Sequence, residues 1–468
     1  MKKIIVSVTN DLSGDQRVDR VCRTLTGMGF RVLLVGRKLP ASAPLAEVPY
    51  DSRRMRLLLR KGPLFYAEFN IRLFLFLISH RFDLLLSNDL DTLAANRFAG
   101  WLRRKPVVYD SHEYFTEVPE LVDRPGVKKI WMWLEKRLIP GVAAAYTVSQ
   151  PIAEAYSQKY GVPFAVVRNL PFPASAGRRA DGVPSATSSK ETICGEPSPP
   201  TSSEETLSVQ LSVESSEETL SVQLSVEPSE ETLSIQPSAR SSEETFSGEQ
   251  SPATPSEYTL AGVPPSAAPP EETTSWKSSA EGAGLTPGRP VIIYQGALNK
   301  GRGLEHAILA MDHLPEAELV IAGSGDLEEE LHTLVSGLHL NNVRFAGRLS
   351  PDHLWILTRQ ASLGISVEED LGLNYRYALP NKLFDYIRAS IPVVVSDLPE
   401  MRRIVTDYGI GLIAPSRDPE TLADIFRKAL TDTSLRRQWI QNLDTAARDL
   451  HWDNEKEILQ EIFRKFSC

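Results

Sequence analysis

Lys382 and Asp385 stand three residues apart in the stretch 379–397, LPNKLFDYIRASIPVVVSD. It reads as a helix opening, a helix, a small-residue break and a buried strand. Pro380 suits a first helical turn, and Asn381 and Lys382 follow it. Backbone N–H groups at a helix start are unpaired and carry partial positive charge, so they attract anions, and a lysine there adds a full charge. A carboxylate one turn on, Asp385, can accept hydrogen bonds from a sugar diol. Phosphate plus ribose is the handle of a nucleotide sugar. A second cationic turn lies upstream in YQGALNKGRGLE, residues 294–305, where Lys300 and Arg302 are set among Gly296, Gly301 and Gly303. A glycine-rich turn with cations before a helix is a phosphate cradle in physical terms. IAGSGD, with Gly323 and Gly325, is a tight turn of the same kind, and VEED places Glu368, Glu369 and Asp370 at a strand end, where they either bind sugar hydroxyls or are simply solvated.

The first half of the chain carries a different set. Asn10, Asp11 and Arg17 follow the first strand, Asp89 follows another in SNDLD, and YDSHEY supplies Asp110, His112 and Glu113 after a third. A histidine between carboxylates at a strand end sits where ligands bind in open α/β sheets. The dinucleotide fingerprint GxGxxG occupies no strand-to-helix turn, and no His, Cys or carboxylate group has metal-ligand spacing. The expectation is therefore a site that needs no metal and no cofactor beyond its nucleotide-sugar substrate.

These residues need two scaffolds. From residue 1 to about 170, apolar strand-like runs (4–8, 31–35, 83–87, 106–109, 144–148, 165–167) alternate with helical patterns (16–28, 67–79, 92–101, 127–138, 152–160). The alternation resumes at Pro290, with strands at 291–294, 318–322, 343–346, 363–366, 392–396 and 411–413, and the chain closes on three helical segments. Strands alternating with helices imply parallel, doubly wound sheets. Between them the composition shifts to Ser, Glu, Thr and Pro, with a tandem 13-residue repeat, SSEETLSVQLSVE, starting at Ser202 and again at Ser215. Charge and proline dominate it, which reads as a disordered insertion. The expected organisation is an α/β fold of two Rossmann-like domains facing a cleft: 1–173, a low-complexity insertion at 174–288, a second domain at 289–450, and a last helix at 451–468 crossing back to the first domain.

With 468 residues and 42% hydrophobic content, both domains can build large cores. A net charge of −9 argues against nucleic acid as a partner. Three cysteines without a framework suggest a reducing compartment, the N-terminal apolar run is too short for a signal peptide, and no run approaches the ~20 apolar residues of a membrane span. A cytoplasmic location is expected. Two stretches, RRMRLLLRKGPLFY (53–66) and KKIWMWLEKRL (128–138), mix cations with large apolar residues. They read either as core with a charged rim, the favoured reading, or as a peripheral contact with the inner face of the cell membrane.

The order YQGxLNKGRGLE, AGSGD, RFAGRLS, PNKLFDY and IPVVVSDLPEM resembles the donor-binding half of the retaining glycosyltransferases of family 4, which have the GT-B fold. NDxxxDQRVxR, DLDT and YDSHEYFTEVPEL are similar to their acceptor half. The resemblance covers both α/β domains and leaves out the insertion. It implies transfer of a sugar, with retained anomeric configuration, from a nucleotide diphosphate sugar to a saccharide or lipid-linked acceptor in cell-surface polysaccharide or glycolipid synthesis. By it, Arg302 stands where the family keeps a diphosphate-binding lysine, Lys382 is a second diphosphate contact, Asp385 takes the place of a ribose-binding glutamate, and His112 matches the active-site histidine. Four positions depart from the pattern. Ala297 replaces an arginine, Asp385 is one methylene short, Ser390 replaces a glycine, and Tyr377 stands eight residues before Asp385 where a glutamate is usual. Glu368 or Glu369 could serve in its stead if the loop LGLNYRYALP folds back. Two competing readings follow from these departures: a non-catalytic binder of sugar nucleotides with a decayed donor site, and an epimerase on the same architecture.

Overall fold

A computed structural model describes residues 1–173 and 285–467, apart from 13, 14, 41, 43, 46, 60, 61, 119, 120, 122 and 123. The repeat insertion expected at 174–288 thus lies, but for its last four residues, outside the described residues. The first half builds a parallel sheet from β1 (Lys3–Asp11), β2 (Arg31–Lys38), β3 (Asp51–Arg56), β4 (Leu84–Asn88), β5 (Val107–Ser111), β6 (Ala144–Thr147) and β7 (Phe164–Val166), in the order β3-β2-β1-β4-β5-β6-β7. The second half builds β8 (Val291–Gln295), β9 (Glu318–Ala322), β10 (Val343–Gly347), β11 (Leu363–Ser366), β12 (Val393–Ser396) and β13 (Gly411–Ala414), in the order β10-β9-β8-β11-β12-β13. Parallel strands need crossover helices on both faces, so the central strands are buried on both sides and read as nearly continuous apolar runs. In each sheet the order reverses beside the first strand, between β1 and β4 and between β8 and β11. Loops leaving the carboxyl ends of those strands splay apart there and leave room for a ligand.

Each sheet carries a core on either face. One face of the first sheet packs Ile5, Leu85 and Val107 against Phe69, Leu73 and Leu77 of the helix Pro63–Ser79. On the other, Val6, Leu84 and Leu86 meet Val18, Val21 and Leu25 of the helix Gln16–Gly27, together with Trp452 and Phe463. Those last two belong to the final helix, Trp452–Ser467, so the end of the chain completes the core of the first domain. The Trp452 indole N–H donates to Thr24 Oγ1 at 3.0 Å, and Glu455 receives the Arg168 backbone N–H (2.7 Å) and guanidinium.

Among the described residues, one strand and two α-helices differ from the pattern reading. The edge strand β3 holds Arg53, Arg54 and Arg56, and its charge hid it, although charged side chains are how exposed sheet edges avoid pairing with other chains. The stretch 53–66 is therefore not one amphipathic surface but the end of a strand and the start of a helix. The helices Pro399–Tyr408 and Leu373–Arg376 were the others. Ser390 adopts φ 59°, just after the helix Asn381–Arg388. A left-handed residue there is cheap for glycine and costs a non-glycine about 1–2 kcal/mol, which accounts for the glycine usual at that place.

Candidate active site

At the carboxyl edge of the second sheet, the helix Asn381–Arg388 begins beside the end of β8. Lys382, only 7% exposed, directs its Nζ to Glu368 Oε1 at 2.8 Å and lies over the Tyr294 ring at 4.0 Å. Arg302 approaches the same Glu368 oxygen at 4.0 Å and stacks over Tyr375 at 5.1 Å, and its Nε is buried without a hydrogen-bond partner. Glu368 is fully enclosed. Burial pushes its pKa up, but Lys382, Arg302 and the Ser366 hydroxyl at 2.7 Å more than reverse this and hold it below the usual carboxylate range. Two cations around one carboxylate leave a net positive, largely buried cluster with an unsatisfied donor, an arrangement that suits an incoming phosphate.

Glycines let this cluster form. Gly303 has φ 70°, and a Cβ there would come within 2.0 Å of the Val367 carbonyl oxygen, so the Arg302 turn can lie against the end of β11 only without a side chain. A Cβ on Gly323 would meet the Gly296 carbonyl oxygen at 1.8 Å, and one on Gly325 the Leu298 carbonyl oxygen at 2.5 Å. Lys300 is exposed, and its carbonyl accepts the Tyr375 hydroxyl at 2.9 Å. Glu369 is half-buried and anchors the turn through its backbone N–H, which donates to the Gly301 carbonyl at 2.8 Å.

Asp385 lies one turn after Lys382. It accepts from Gln295 Nε2 at 2.9 Å. Burial raises its pKa to about 6, although Arg20, Arg388 and Gln295 pull the other way. Arg20 comes from the first domain, on the helix Gln16–Gly27, and donates to Asn169 Oδ1 at 2.7 Å, while Asn169 Nδ2 donates to Asn381 Oδ1 at 2.8 Å. Burial lowers the Arg20 pKa to about 10.

The first domain contributes a charged relay at the ends of β4 and β5. His112 places Nδ1 3.3 Å from Asp89 Oδ2 and Nε2 3.2 Å from Asp110 Oδ2, with Asn88 Oδ1 at the same distance from Nε2. Burial opposes its charge, but the flanking carboxylates of Asp89 and Asp110 raise its pKa to about 9. With both ring nitrogens engaged and the ring protonated at neutral pH, His112 is a fixed positive charge and hydrogen-bond donor, not a general base. Asp89 takes φ 57°, unusual for a non-glycine residue, and turns its carboxylate to the His112 backbone N–H at 2.8 Å.

Arg17 and Asp110, expected among the acceptor contacts, are 3% and 0% exposed and grip each other through Nε–Oδ2 (3.1 Å) and Nη2–Oδ1 (2.7 Å). Burial works against the Asp110 carboxylate, and Arg17 and His112 overcome it, lowering its pKa to about 2. The pair positions His112 from beneath. Asp11 pairs with Arg54 at 3.0 Å, away from His112 in sequence and strand, and Asn10 is exposed at the end of β1. Asp91, given no role from sequence, is buried beside Thr9 Oγ1 (2.6 Å), and burial together with Asp89 raises its pKa to about 7.

The two halves meet at the loop that follows Glu368. It folds back through the helix Leu373–Arg376, and Asn374 reaches the first domain: its Oδ1 accepts the Tyr114 N–H at 2.8 Å and its Nδ2 donates to Glu113 Oε2 at 3.3 Å. Glu113 therefore ties the residue next to His112 to the donor half. The fold-back also brings Glu368, seventeen residues before Asp385, under Lys382. Asn374 and Arg20 escaped the sequence reading. Arg20 ends the NDxxxDQRVxR motif, a signal that was present, whereas nothing in the sequence marks Asn374.

Known proteins resemble the chain in both halves. The family model described as Glycosyl transferases group 1 matches residues 278–445, and Glycosyltransferase Family 4 matches residues 15–171. An uncharacterized glycosyltransferase of Methanocaldococcus jannaschii is 29% identical over 181 residues, covering 36% of this chain and 44% of that protein. The chain thus spans less than half the length of that curated relative. Among solved structures, sucrose-phosphate synthase from Thermosynechococcus elongatus aligns with a TM-score of 0.63 at 14% identity, over 99% of both chains. HepE of Anabaena, in complex with UDP and glucose, aligns with a TM-score of 0.62 at 14% identity, over 99% of this chain and all of the other. These structural likenesses show the GT-B fold. The two family matches fall one on each domain and together take in both, so the chain belongs to the glycosyltransferases of the group 1 and family 4 type.

Proposed function

We propose that the protein is a retaining glycosyltransferase that moves a sugar from a nucleotide diphosphate sugar to a saccharide or lipid-linked acceptor in cell-surface polysaccharide or glycolipid synthesis. The observation that carries this reading is the buried Lys382–Glu368–Arg302 cluster at the foot of the donor cradle, tied through Asn374 to Glu113 beside His112. Breaking a sugar–phosphate bond builds negative charge on the departing diphosphate. Lys382, Arg302 and the N–H groups opening the helix Asn381–Arg388 are fixed to receive that charge, which is the electrostatic term that usually dominates such steps. Asp385 holds the ribose diol as a carboxylate. The His112 imidazolium, its two ring N–H groups held by Asp89 and Asp110, sets a fixed positive charge at the ends of β4 and β5 towards the sugar.

HepE was solved with UDP and with UDP-glucose, which makes uridine diphosphate sugars the first donors to try. Incubation with a panel of UDP- and GDP-sugars tests the reading by release of nucleoside diphosphate and by the anomeric configuration of the product. A new sugar isomer without diphosphate release would instead identify an epimerase, and thermal protection without turnover a non-catalytic binder.

A peripheral membrane contact belongs to the same reading. Among the described residues no helix is long and apolar enough to cross a membrane. Three helices of the first domain nevertheless expose large apolar side chains: Ile71 and Leu75 on Pro63–Ser79, Phe98 and Trp101 on Leu90–Arg103, and Ile130 and Trp133 on Pro125–Leu138. Within the stretch 128–138, Ile130 is 61% and Trp133 58% exposed, so these two side chains are not the core residues of the favoured expectation. Arg137 stacks on Trp133 at 5.8 Å. Exposed aromatics interleaved with cations suit the interface of an anionic bilayer and would bring the cleft to a lipid-linked acceptor.

A further inference from the structure

A cavity of about 390 Å³ opens in the first domain where β2 and β3 end and the helix Pro63–Ser79 begins. Arg37, Lys38 and Arg56 line it, with Leu57, Leu59 and Phe65 on its apolar side. It shares no residue with the donor cradle or the His112 cluster. Lys38 and Arg56 are register partners on neighbouring strands, so two like charges stand side by side, an arrangement that destabilises a sheet unless an anion joins them. Arg37 lies over the Phe65 ring at 5.0 Å, and its Nε is buried with no hydrogen-bond partner. The nearby carboxylates are committed elsewhere. Asp11 pairs with Arg54, and Glu68 accepts the Leu58 and Leu59 backbone N–H groups and Arg72. Asp11 is the register partner of Arg37 on β1, and its carboxylate is held by Arg54. Leu59, on the apolar side, is 41% exposed, and Lys38 and Arg56 are exposed as well. Cations and apolar side chains thus share the opening.

We propose that this cavity binds a phosphate or pyrophosphate group carried at the end of an apolar chain, the headgroup of a lipid-linked acceptor. The guanidinium groups of Arg37 and Arg56 and the Lys38 ammonium supply charge-assisted hydrogen bonds to the phosphoryl oxygens, and the Arg37 Nε gains the acceptor it lacks. Leu57, Leu59 and Phe65, on the apolar side, lie along the first segment of the chain as it leaves for the bilayer. The inference rests on the transferase reading for the headgroup's identity as acceptor, whereas binding itself requires no donor.

The test is flotation of the full chain with phosphatidylcholine vesicles carrying a small mole fraction of polyprenyl phosphate, or the same fraction of phosphatidylglycerol. Stronger binding to the polyprenyl phosphate vesicles is expected. Arg56→Gln and Lys38→Gln should each weaken it about fivefold, the usual effect of one cation near an anionic surface. Lys428→Gln, an exposed cation on the helix Pro419–Thr431 of the second domain, should leave it nearly unchanged. Inorganic pyrophosphate should compete with the wild-type protein, because the phosphoryl group itself is recognised, and should not affect the residual binding of the Lys38→Gln/Arg56→Gln protein. Equal binding to phosphatidylglycerol, an equal loss in Lys428→Gln, or no competition by pyrophosphate would each overturn the proposal. Lys38 and Arg56 are exposed or nearly so and outside the donor site, so unchanged thermal unfolding and donor hydrolysis certify both variants. Vesicle binding that fails while diphosphate release persists removes the cavity proposal alone, and the converse removes the transferase reading alone.

Discussion

Truncating Lys382 should produce two separable losses. The ammonium lies 2.8 Å from Glu368, which has no solvent exposure, and the next cation is Arg302 at 4.0 Å. Lys382→Ala therefore leaves a buried carboxylate with the Ser366 hydroxyl and one distant guanidinium. Breaking a buried pair from one side costs about 3–5 kcal/mol. In a domain of this size that corresponds to a fall in Tm of roughly 6–20 °C. The second loss is catalytic. A fixed donor to the leaving diphosphate is worth ~10²–10³ in kcat. Differential scanning fluorimetry measures the first, and release of nucleoside diphosphate at saturating donor measures the second. The double variant Lys382→Ala/Glu368→Gln tells them apart. It removes the orphaned charge, so most of the lost Tm should return while kcat stays low. Near-normal turnover in Lys382→Ala would refute the assignment. Recovery of turnover in the double variant would refute it too, because the loss would then have come from a disturbed fold around Glu368.

Asp385 gives a pH dependence. Its pKa of about 6 means that the carboxylate needed by the ribose diol is protonated as pH falls through that value, so KM for the donor should rise several-fold between pH 7 and pH 5. Asp385→Asn should have a high KM that no longer changes over this range. His112 contributes stability with the opposite sense of pH. Its folded pKa of about 9 lies above the unfolded value of about 6.5, so the contribution is full below pH 6.5 and is lost as pH rises through 9. Urea unfolding should show His112→Gln less stable than wild type by on the order of 3 kcal/mol at pH 6 and by much less at pH 10. Excision of residues 180–280 should leave folding and turnover intact. Thr286 must stay, because its backbone N–H donates to Glu318 at 3.0 Å, and insoluble or inactive protein after excision would contradict the reading of that segment as a tolerated insertion.

Much of the scaffold was legible because its signals are local. Runs such as VIIYQ and ELVIA must be strands covered on both faces, and their alternation with helices implies the parallel sheets. Lys382, Asp385, Arg302 and the glycines beside them stood out because helix starts and tight turns have fixed chemical needs. The edge strand β3 did not, since its arginines obey the demands of an exposed edge and not of a core. Arg17 and Asp110 looked like ligand contacts because charge in a loop after a strand suggests a site, and sequence carries no measure of depth.

The chain's order alone therefore determined two doubly wound domains and the residues at the carboxyl ends of their strands. Tertiary structure decided which of those charges pair with each other and which are left for a substrate. Glu368 joins Lys382 only because a loop folds back, Asn374 and Glu113 join the halves across 261 residues, and Trp452 seals the first domain from the far end of the chain. Electrostatic partnership falls off over a few ångströms through space, and that distance is set by packing, not by separation along the chain.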